Sequence, residues 1–448
     1  MLLLFERICI MIFNGLRHVQ PQNLCSAETE GIIMKTTAKT EKLSLFLLVS
    51  ALLMYVLVCM TKSNYTASIA FIVKEGIFTK AKSGLISACF YLIYSVGQII
   101  GGVVSDRISP YKVISIGVLG SMLINLALCF TTRFEVVLVL WSLCGIIQFG
   151  IWPGLVKIVA AVISPKHRKT ASVLVGMCIG TGGILSYLVA TPVLEWLGWA
   201  GLFGMNTAIL LGVLIMWLIT EKLTAAPLMP EPVIGKKAAQ VGSRPAFLPI
   251  FLRSGLPVIM IVNMIINMLS IGVKSWVPTM MMESYDISAT WASMQTAITY
   301  IVNIAGSFAV IYAFRRIKNE LLCESSYLFI CIPFYVVLLF IGRGPMWSML
   351  MSVMVTTTFT YAIGNLNVRT SAAYEKYRCS ATVSGILNGM ASFGIFVANG
   401  SFGVIAQNWG WHAVTVILVS VGSLAALLSL TVGLTSWKKF KLEKPAEQ

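Results

Sequence analysis

Charge is scarce in this sequence, and acidic charge is scarcer still. Only 11% of the 448 residues are Asp, Glu, Lys or Arg, with 17 acidic side chains against 33 basic ones, whereas about a quarter of residues are charged in soluble domains. That shortage, beside 57% hydrophobic residues, excludes a soluble globular chain and describes an integral membrane protein. Histidine is nearly missing: His18, His167 and His412 are the three, none lies in the middle of an apolar run, and neither HExxH nor GxSxG occurs. The usual zinc-peptidase and serine-hydrolase signatures are therefore absent, and neither enzymatic activity nor a cofactor or metal is expected. The ten cysteines are scattered without a CxxC pair, mostly within apolar runs, so no disulfide framework is indicated. The net charge of +16 does not point to nucleic acid, because the basic residues cluster in short segments between apolar runs, where cytoplasmic Lys and Arg accumulate.

What is present is a series of apolar runs, each near the ~20 residues needed to cross a bilayer. They predict an all-α integral membrane fold of twelve transmembrane helices, at about 43–73, 83–104, 111–131, 136–163, 170–192, 199–220, 256–282, 287–314, 322–342, 346–374, 380–405 and 412–435. A polar, Pro-containing stretch over 221–255 reads as a linker between two pseudo-symmetric six-helix bundles, 43–220 and 256–435. Residues 1–42 and 436–448 read as polar tails, and Met34 has the features of an alternative start. Alternate loops and tails hold 22 Lys and Arg on one side against 5 on the other. That bias places both termini and the linker in the cytoplasm of a cell, inner or plasma, membrane.

Four cations break the apolar runs: Lys62, Lys157, Lys274 and Arg369. Their numbering is periodic. Lys62 and Lys274 are 212 positions apart, as are Lys157 and Arg369, and the same offset relates Thr170, Ser172, Gly182, Gly198 and Trp199 to Thr382, Ser384, Gly394, Gly410 and Trp411. Internal repeats with a site at their interface are a feature of secondary transporters. A cation in the middle of a spanning helix costs roughly 2.5–3.5 kcal/mol on insertion scales, so each is a candidate site residue.

Polar neighbours fall at helical spacing around these cations. Asn263, Asn267, Ser270 and Lys274 make one stripe in span 7; Thr358, Tyr361, Asn365 and Arg369 make another in span 10; Tyr55, Lys62 and Thr66 align in span 1. Such stripes seek the bundle interior or a wet cavity. Tyr65, Trp152 and Trp276 are candidates to shape or gate that cavity, with helix packing as their alternative role. Snorkelling competes for Lys157 and Arg369, each roughly 9 Å from a cytoplasmic helix end, more than for Lys62 and Lys274, roughly 18 and 13 Å from theirs. No Asp or Glu lies within the cavity helices away from their ends. Uncompensated cations recruit a mobile anion and make an empty state unfavourable, which argues for exchange of anions over proton symport, with a titrating lysine as the other route.

Span 2 ends in Gly102-x-x-x-Asp106-Arg107, within Ser105-Asp106-Arg107-x-x-Pro110. This resembles the loop signature of the major facilitator superfamily, and specifically its organophosphate:phosphate antiporter branch, which includes glycerol-3-phosphate and hexose-phosphate transporters. Gln148, Gly150, Trp152, Pro153 and Lys157 resemble the branch's fourth helix, and Trp276-x-Pro278-Thr279 a segment of its seventh. The resemblance implies the major facilitator fold, a central cavity lined by spans 1, 4, 7 and 10, and alternating access, with Gly102, Asp106 and Arg107 in a conformational loop. It implies a small anionic solute, with phosphate or a proton as counter-substrate, carried across the lipid bilayer by a monomer. The chain departs from the branch pattern with Lys62, Lys157 and Ser270 where arginines usually stand. Lysine binds phosphate as a point charge without the guanidinium fork, so a carboxylate remains an alternative cargo, as in the related anion:cation symporters. A sugar-phosphate sensor that binds without moving solute is the alternative from another class.

Overall fold

The computed structural model describes residues 27–107, 109–162, 165–228, 247–377 and 379–442. They belong to two compact units, Met1–Leu43, helical from Ala27, and Ser44–Gln448. Most of the expected N-terminal tail, the middle of the 221–255 linker and the last six residues lie outside the described residues. So do the side chains of Gly102, Asp106 and Arg107, whose backbone continues helix Lys80–Arg107.

Among the described residues the structure is helical and has no strand. A bilayer imposes this, since a spanning segment must satisfy its own backbone N–H and C=O groups. Among the described residues, nine helical stretches are long and apolar enough to cross a membrane. Two of these, Leu174–Leu228 and Thr382–Leu442, are each broken in two by a glycine, Gly198 at φ 66° and Gly410 at φ 77°. With Lys80–Arg107, the described traversals number twelve, as the sequence predicts. Left-handed φ is available to glycine without a Cβ penalty, and these two glycines are 212 residues apart, so the sequence repeat is a repeat of turns.

Spans 1 to 6 run through Ala27–Ala67 with Ile69–Lys74, Lys80–Arg107, Pro110–Leu128, Phe134–Gln148 with Ile151–Val162, and the two parts of Pro165–Leu228. Spans 7 to 12 run through Leu256–Tyr285, Ala289–Ile317, Glu320–Leu338, Met346–Ala372 and the two parts of Ser380–Leu434. Helix–helix packing also repeats. A Cβ on Gly182 of span 5 would fall 2.8 Å from the Val56 carbonyl oxygen of span 1, and one on Gly394 of span 11 would meet the Met264 carbonyl of span 7. Small residues at such crossings let backbones approach closely.

Polar side chains join the spans. Asn64 donates to Asn206 at 2.5 Å, and Asn206 donates to Asn125 at 3.1 Å, linking spans 1, 6 and 3. The first six spans meet the last six where span 2 lies along span 11 and span 5 along span 8: Ser95 Oγ donates to the Gly389 carbonyl at 2.7 Å, and the Thr191 and Ser293 hydroxyls are 2.9 Å apart. Where span 2 begins and span 7 ends, Lys80 Nζ pairs with Glu283 Oε2 at 2.8 Å. The Trp411 indole N–H donates to the same oxygen at 2.8 Å, and the Ala81 N–H donates to Gln407 Oε1 at 3.1 Å. The last part of span 1, Ile69–Lys74, packs on Val273–Tyr285 of span 7 at this end of the molecule.

Spans 1 and 4 are interrupted at Ser68 and at Phe149–Gly150, and two further departures from α geometry fall beside candidate site residues. Span 7 contains a π-helical turn, Met268–Gly272. Span 10 stops at Gly364 and resumes at Asn367.

Candidate functional site

Spans 1, 2, 4, 5, 7, 8, 10 and 11 enclose a cavity of about 210 Å³. Span 1 contributes Tyr55, Cys59, Lys62, Ser63 and Thr66, positions that return to one helix face every third or fourth residue. Span 2 adds Tyr91, Tyr94 and Gln98, span 4 adds Trp152, and span 5 adds Ile179 and Tyr187. Asn267, Ile271 and Ser275 come from span 7, Tyr300 from span 8, Tyr361 from span 10, and Asn388, Ala391, Ser392 and Ile395 from span 11. Among the described residues, no carboxylate lines it, and its one lining cation is Lys62.

Lys62 is half-buried, and its Nζ lies 4.1 Å from the Tyr94 ring centroid and 5.7 Å from those of Phe90 and Tyr91. Tyr55 and Trp152, both expected near the site, meet across it with ring centroids 5.4 Å apart. Asn267 donates to the Asn263 carbonyl at 2.9 Å while its side chain lines the wall. The wall therefore offers one ammonium, hydroxyl and amide groups, and a belt of aromatic rings. That combination suits a small anion with a polar or planar body.

Lys274 does not line the cavity. It is fully buried at 0% exposure, with Nζ 4.4 and 4.6 Å from the ring centroids of Tyr300 and Tyr361, which do line it. The π-helical turn supplies the reason. An i→i+5 turn holds one residue more than an α turn, so the face below it advances by one position, and Asn267, Ile271 and Ser275 line the wall where Asn267, Ser270 and Lys274 share a face on α spacing. Ser270 is buried within that turn, and its Oγ has no partner among the described residues.

The break at Asn365–Leu366 acts similarly on span 10. Tyr361 lies before it and lines the cavity, whereas Asn365 and Arg369 are exposed. Asn365 donates to Ser307 Oγ at 3.2 Å, and the Arg369 guanidinium lies 4.5 Å from the Phe314 ring centroid. Thr358 donates to Asn303 at 2.8 Å within the helix packing. Lys157 is half-buried, further along the helix from Trp152 and outside the lining. Tyr65 is buried with its ring 5.4 Å from Trp141 and its hydroxyl donating to the Ser83 carbonyl at 3.3 Å. Trp276 is buried 6.0 Å from Trp411, at a crossing where spans 2 and 11 present Gly84 and Gly403. Tyr65 and Trp276 thus pack beside the cavity without lining it.

The lining also includes residues that the cation stripes do not flag. Tyr91, Tyr94 and Gln98 stand at i, i+3 and i+7 in span 2, and Asn388 and Ser392 at i and i+4 in span 11. A search for polar stripes without an embedded charge finds both. Tyr187 and Tyr300 stand singly on spans 5 and 8, and only the packing brings their rings to 5.6 Å.

Comparison with known proteins places these features in context. Residues 51–398 match the model of the Major Facilitator Superfamily. A probable hexose phosphate transport protein of Chlamydia trachomatis is 21% identical over 435 residues, covering 87% of this chain and 90% of that one. The membrane sensor protein UhpC of Salmonella typhimurium is 28% identical over 188 residues, 41% of this chain and 42% of that protein. Among solved structures, a bacterial homologue of the human lysosomal transporter Spinster superposes with a TM-score of 0.66 at 16% identity, covering 89% of this chain and 96% of that one.

Proposed function

The chain belongs to the major facilitator superfamily, and on that premise we propose that it is a secondary transporter of a small organic anion, a phosphate ester such as a sugar phosphate or glycerol phosphate exchanged for inorganic phosphate. The observation that carries this reading is Lys62, a lysine inside a spanning helix that lines a cavity where no carboxylate stands among the described residues. Such a cation attracts an anion from either opening, because the low-dielectric walls screen its field little. The hydroxyl, amide and aromatic groups around it give the cargo's body something to bind. Similarity to a hexose phosphate transport protein over most of both chains supports a phosphorylated cargo.

On this reading the two six-span halves, 43–220 and 256–435, rock about the cavity. Both termini face the cytoplasm of the plasma membrane, as the Lys and Arg bias implies, and the chain works as a monomer without catalysing a reaction. Lys274 joins Lys62 as the second half's cation, reached by the cargo when the Tyr300 and Tyr361 rings part. Lys157 and Arg369, outside the lining, act at the cytoplasmic mouth.

The test is flux. Purified protein in phosphate-loaded liposomes takes up external glucose 6-phosphate or glycerol 3-phosphate, and uptake is slower when internal phosphate is omitted. Uptake of a carboxylate driven by a pH gradient alone contradicts the antiport reading in favour of symport, and saturable binding without flux contradicts transport in favour of sensing.

A further inference from the structure

Two lysines, one from each half, rest on aromatic faces. Lys62 Nζ stands 4.1 Å from the Tyr94 centroid, and Lys274 Nζ stands 4.4 and 4.6 Å from those of Tyr300 and Tyr361. Lys274 is the more demanding case, being 0% exposed with no hydrogen-bond partner at Nζ among the described residues. A buried charge without acceptor or counter-ion is strongly unfavourable. Around this one the negative potential comes from π faces, one from span 8 and one from span 10, a contact that gains strength as water is removed.

We propose that Tyr94 and the Tyr300–Tyr361 pair are positioning residues that act as resident counter-charges for the two lysines, so that the carrier reorients empty as well as loaded. The inference rests on the anion-transporter reading and adds a transport mode to it. Exchange is obligatory when the empty carrier cannot pass the occluded intermediate, in which water has left the cavity cations. Lys274 already occupies such a dry place, held by two rings. Carboxylates are not the sole counter-charges open to these lysines, because the ring faces offset them as well. An arriving oxyanion competes with the ring faces for the ammonium groups, and on its release the lysines return to the rings. Net flux down a gradient therefore accompanies exchange.

Two readouts test this. Spin labels carried on unnatural amino acids at the exposed positions Phe130 and Phe340, one in each half, leave the ten native cysteines in place. In nanodiscs prepared without phosphate or organic anions, electron–electron resonance should resolve two inter-label distances for the otherwise unaltered chain, and Tyr361→Leu should leave one. In liposomes loaded with labelled inorganic phosphate, the ratio of efflux into anion-free buffer to exchange against unlabelled phosphate should fall about tenfold in Tyr94→Leu and Tyr361→Leu, equivalent to ~1.4 kcal/mol. Tyr94→Phe and Tyr361→Phe, which keep the ring and lose the hydroxyl, should restore both the ratio and the second distance. A single distance without anions, or Leu variants that match the unaltered chain in distances and ratio, overturns the proposal. Absence of phosphate exchange counts against the phosphate reading instead, and the distances still decide this one.

Discussion

Lys62 and Lys274 stand 212 positions apart, yet their ammonium groups meet different surroundings. Lys62 opens onto the cavity, whereas Lys274 is closed off by Tyr300 and Tyr361. A buried charge in an ion pair is destabilising to lose, by about 3–5 kcal/mol, because its partner is left bare. Lys274 Nζ has no such partner among the described residues. Lys274→Gln should therefore insert and melt at or above the temperature of the unaltered protein in a thermal-shift measurement, while its anion uptake falls. A lowered melting temperature together with normal uptake would mark the lysine as structural. Lys62 and its face were legible in the sequence because span 1 is an unbroken helix there, so Tyr55, Lys62 and Thr66 keep α spacing. The tyrosines that receive the ammonium groups were not, since tyrosine in an apolar helix reads equally well as packing.

Helix irregularities decide which side chains the elements present. The π-helical turn Met268–Gly272 exchanges Lys274 for Ser275 at the wall. Nothing in the sequence Met268-Leu-Ser-Ile-Gly272 announces an i→i+5 turn, and pattern reasoning at 3.6 residues per turn carries the wrong face past it. This is testable without knowing the cargo. In a background lacking other reactive thiols, Ser275→Cys should be alkylated by a hydrophilic thiol reagent faster than Ser270→Cys; the reverse order would indicate a regular α-helix through this region. The break after Gly364 has the same consequence for Asn365 and Arg369. By contrast, the equivalence of two crossings, spans 5 with 1 and 11 with 7, follows the repeat, since Gly182 and Gly394 share the 212 offset. A methyl group on Gly394 has only the Met264 backbone to displace. Gly394→Ala should destabilise the protein by about 1–3 kcal/mol, the usual range for overpacking, measured as a lower melting temperature. An unchanged melting temperature would mean that spans 7 and 11 are free to separate.

For the molecule as a whole, the contacts that join the first six spans to the last six set which opening is closed. Lys80, Glu283 and Trp411 meet at the end where span 2 begins and span 7 ends. Alternating access requires that cluster to break in each cycle, and partly exposed ion pairs are weak enough for this, at about 0.2–1 kcal/mol. Glu283→Gln removes the ion pair and weakens the Trp411 contact. It should make Lys82→Cys, exposed beside the cluster, more reactive to a membrane-impermeant thiol reagent, and Lys80→Glu with Glu283→Lys should reverse the change. Equal reactivity in all three backgrounds would deny the cluster a part in closure. The twelve traversals and the twofold repeat were readable because hydropathy and the 212 offset report what a bilayer imposes on length and symmetry. Which spans face each other depends on packing, which the sequence encodes only in scattered glycines. The central claim, an anion held by a cavity lysine, is tested most directly by uptake of labelled glucose 6-phosphate into phosphate-loaded liposomes by the unaltered protein and Lys62→Gln side by side. Loss of one buried charge partner is worth roughly 2–5 kcal/mol, so uptake at low concentration should fall about 30-fold or more, with equal amounts of inserted protein. Equal uptake by the two would contradict the account.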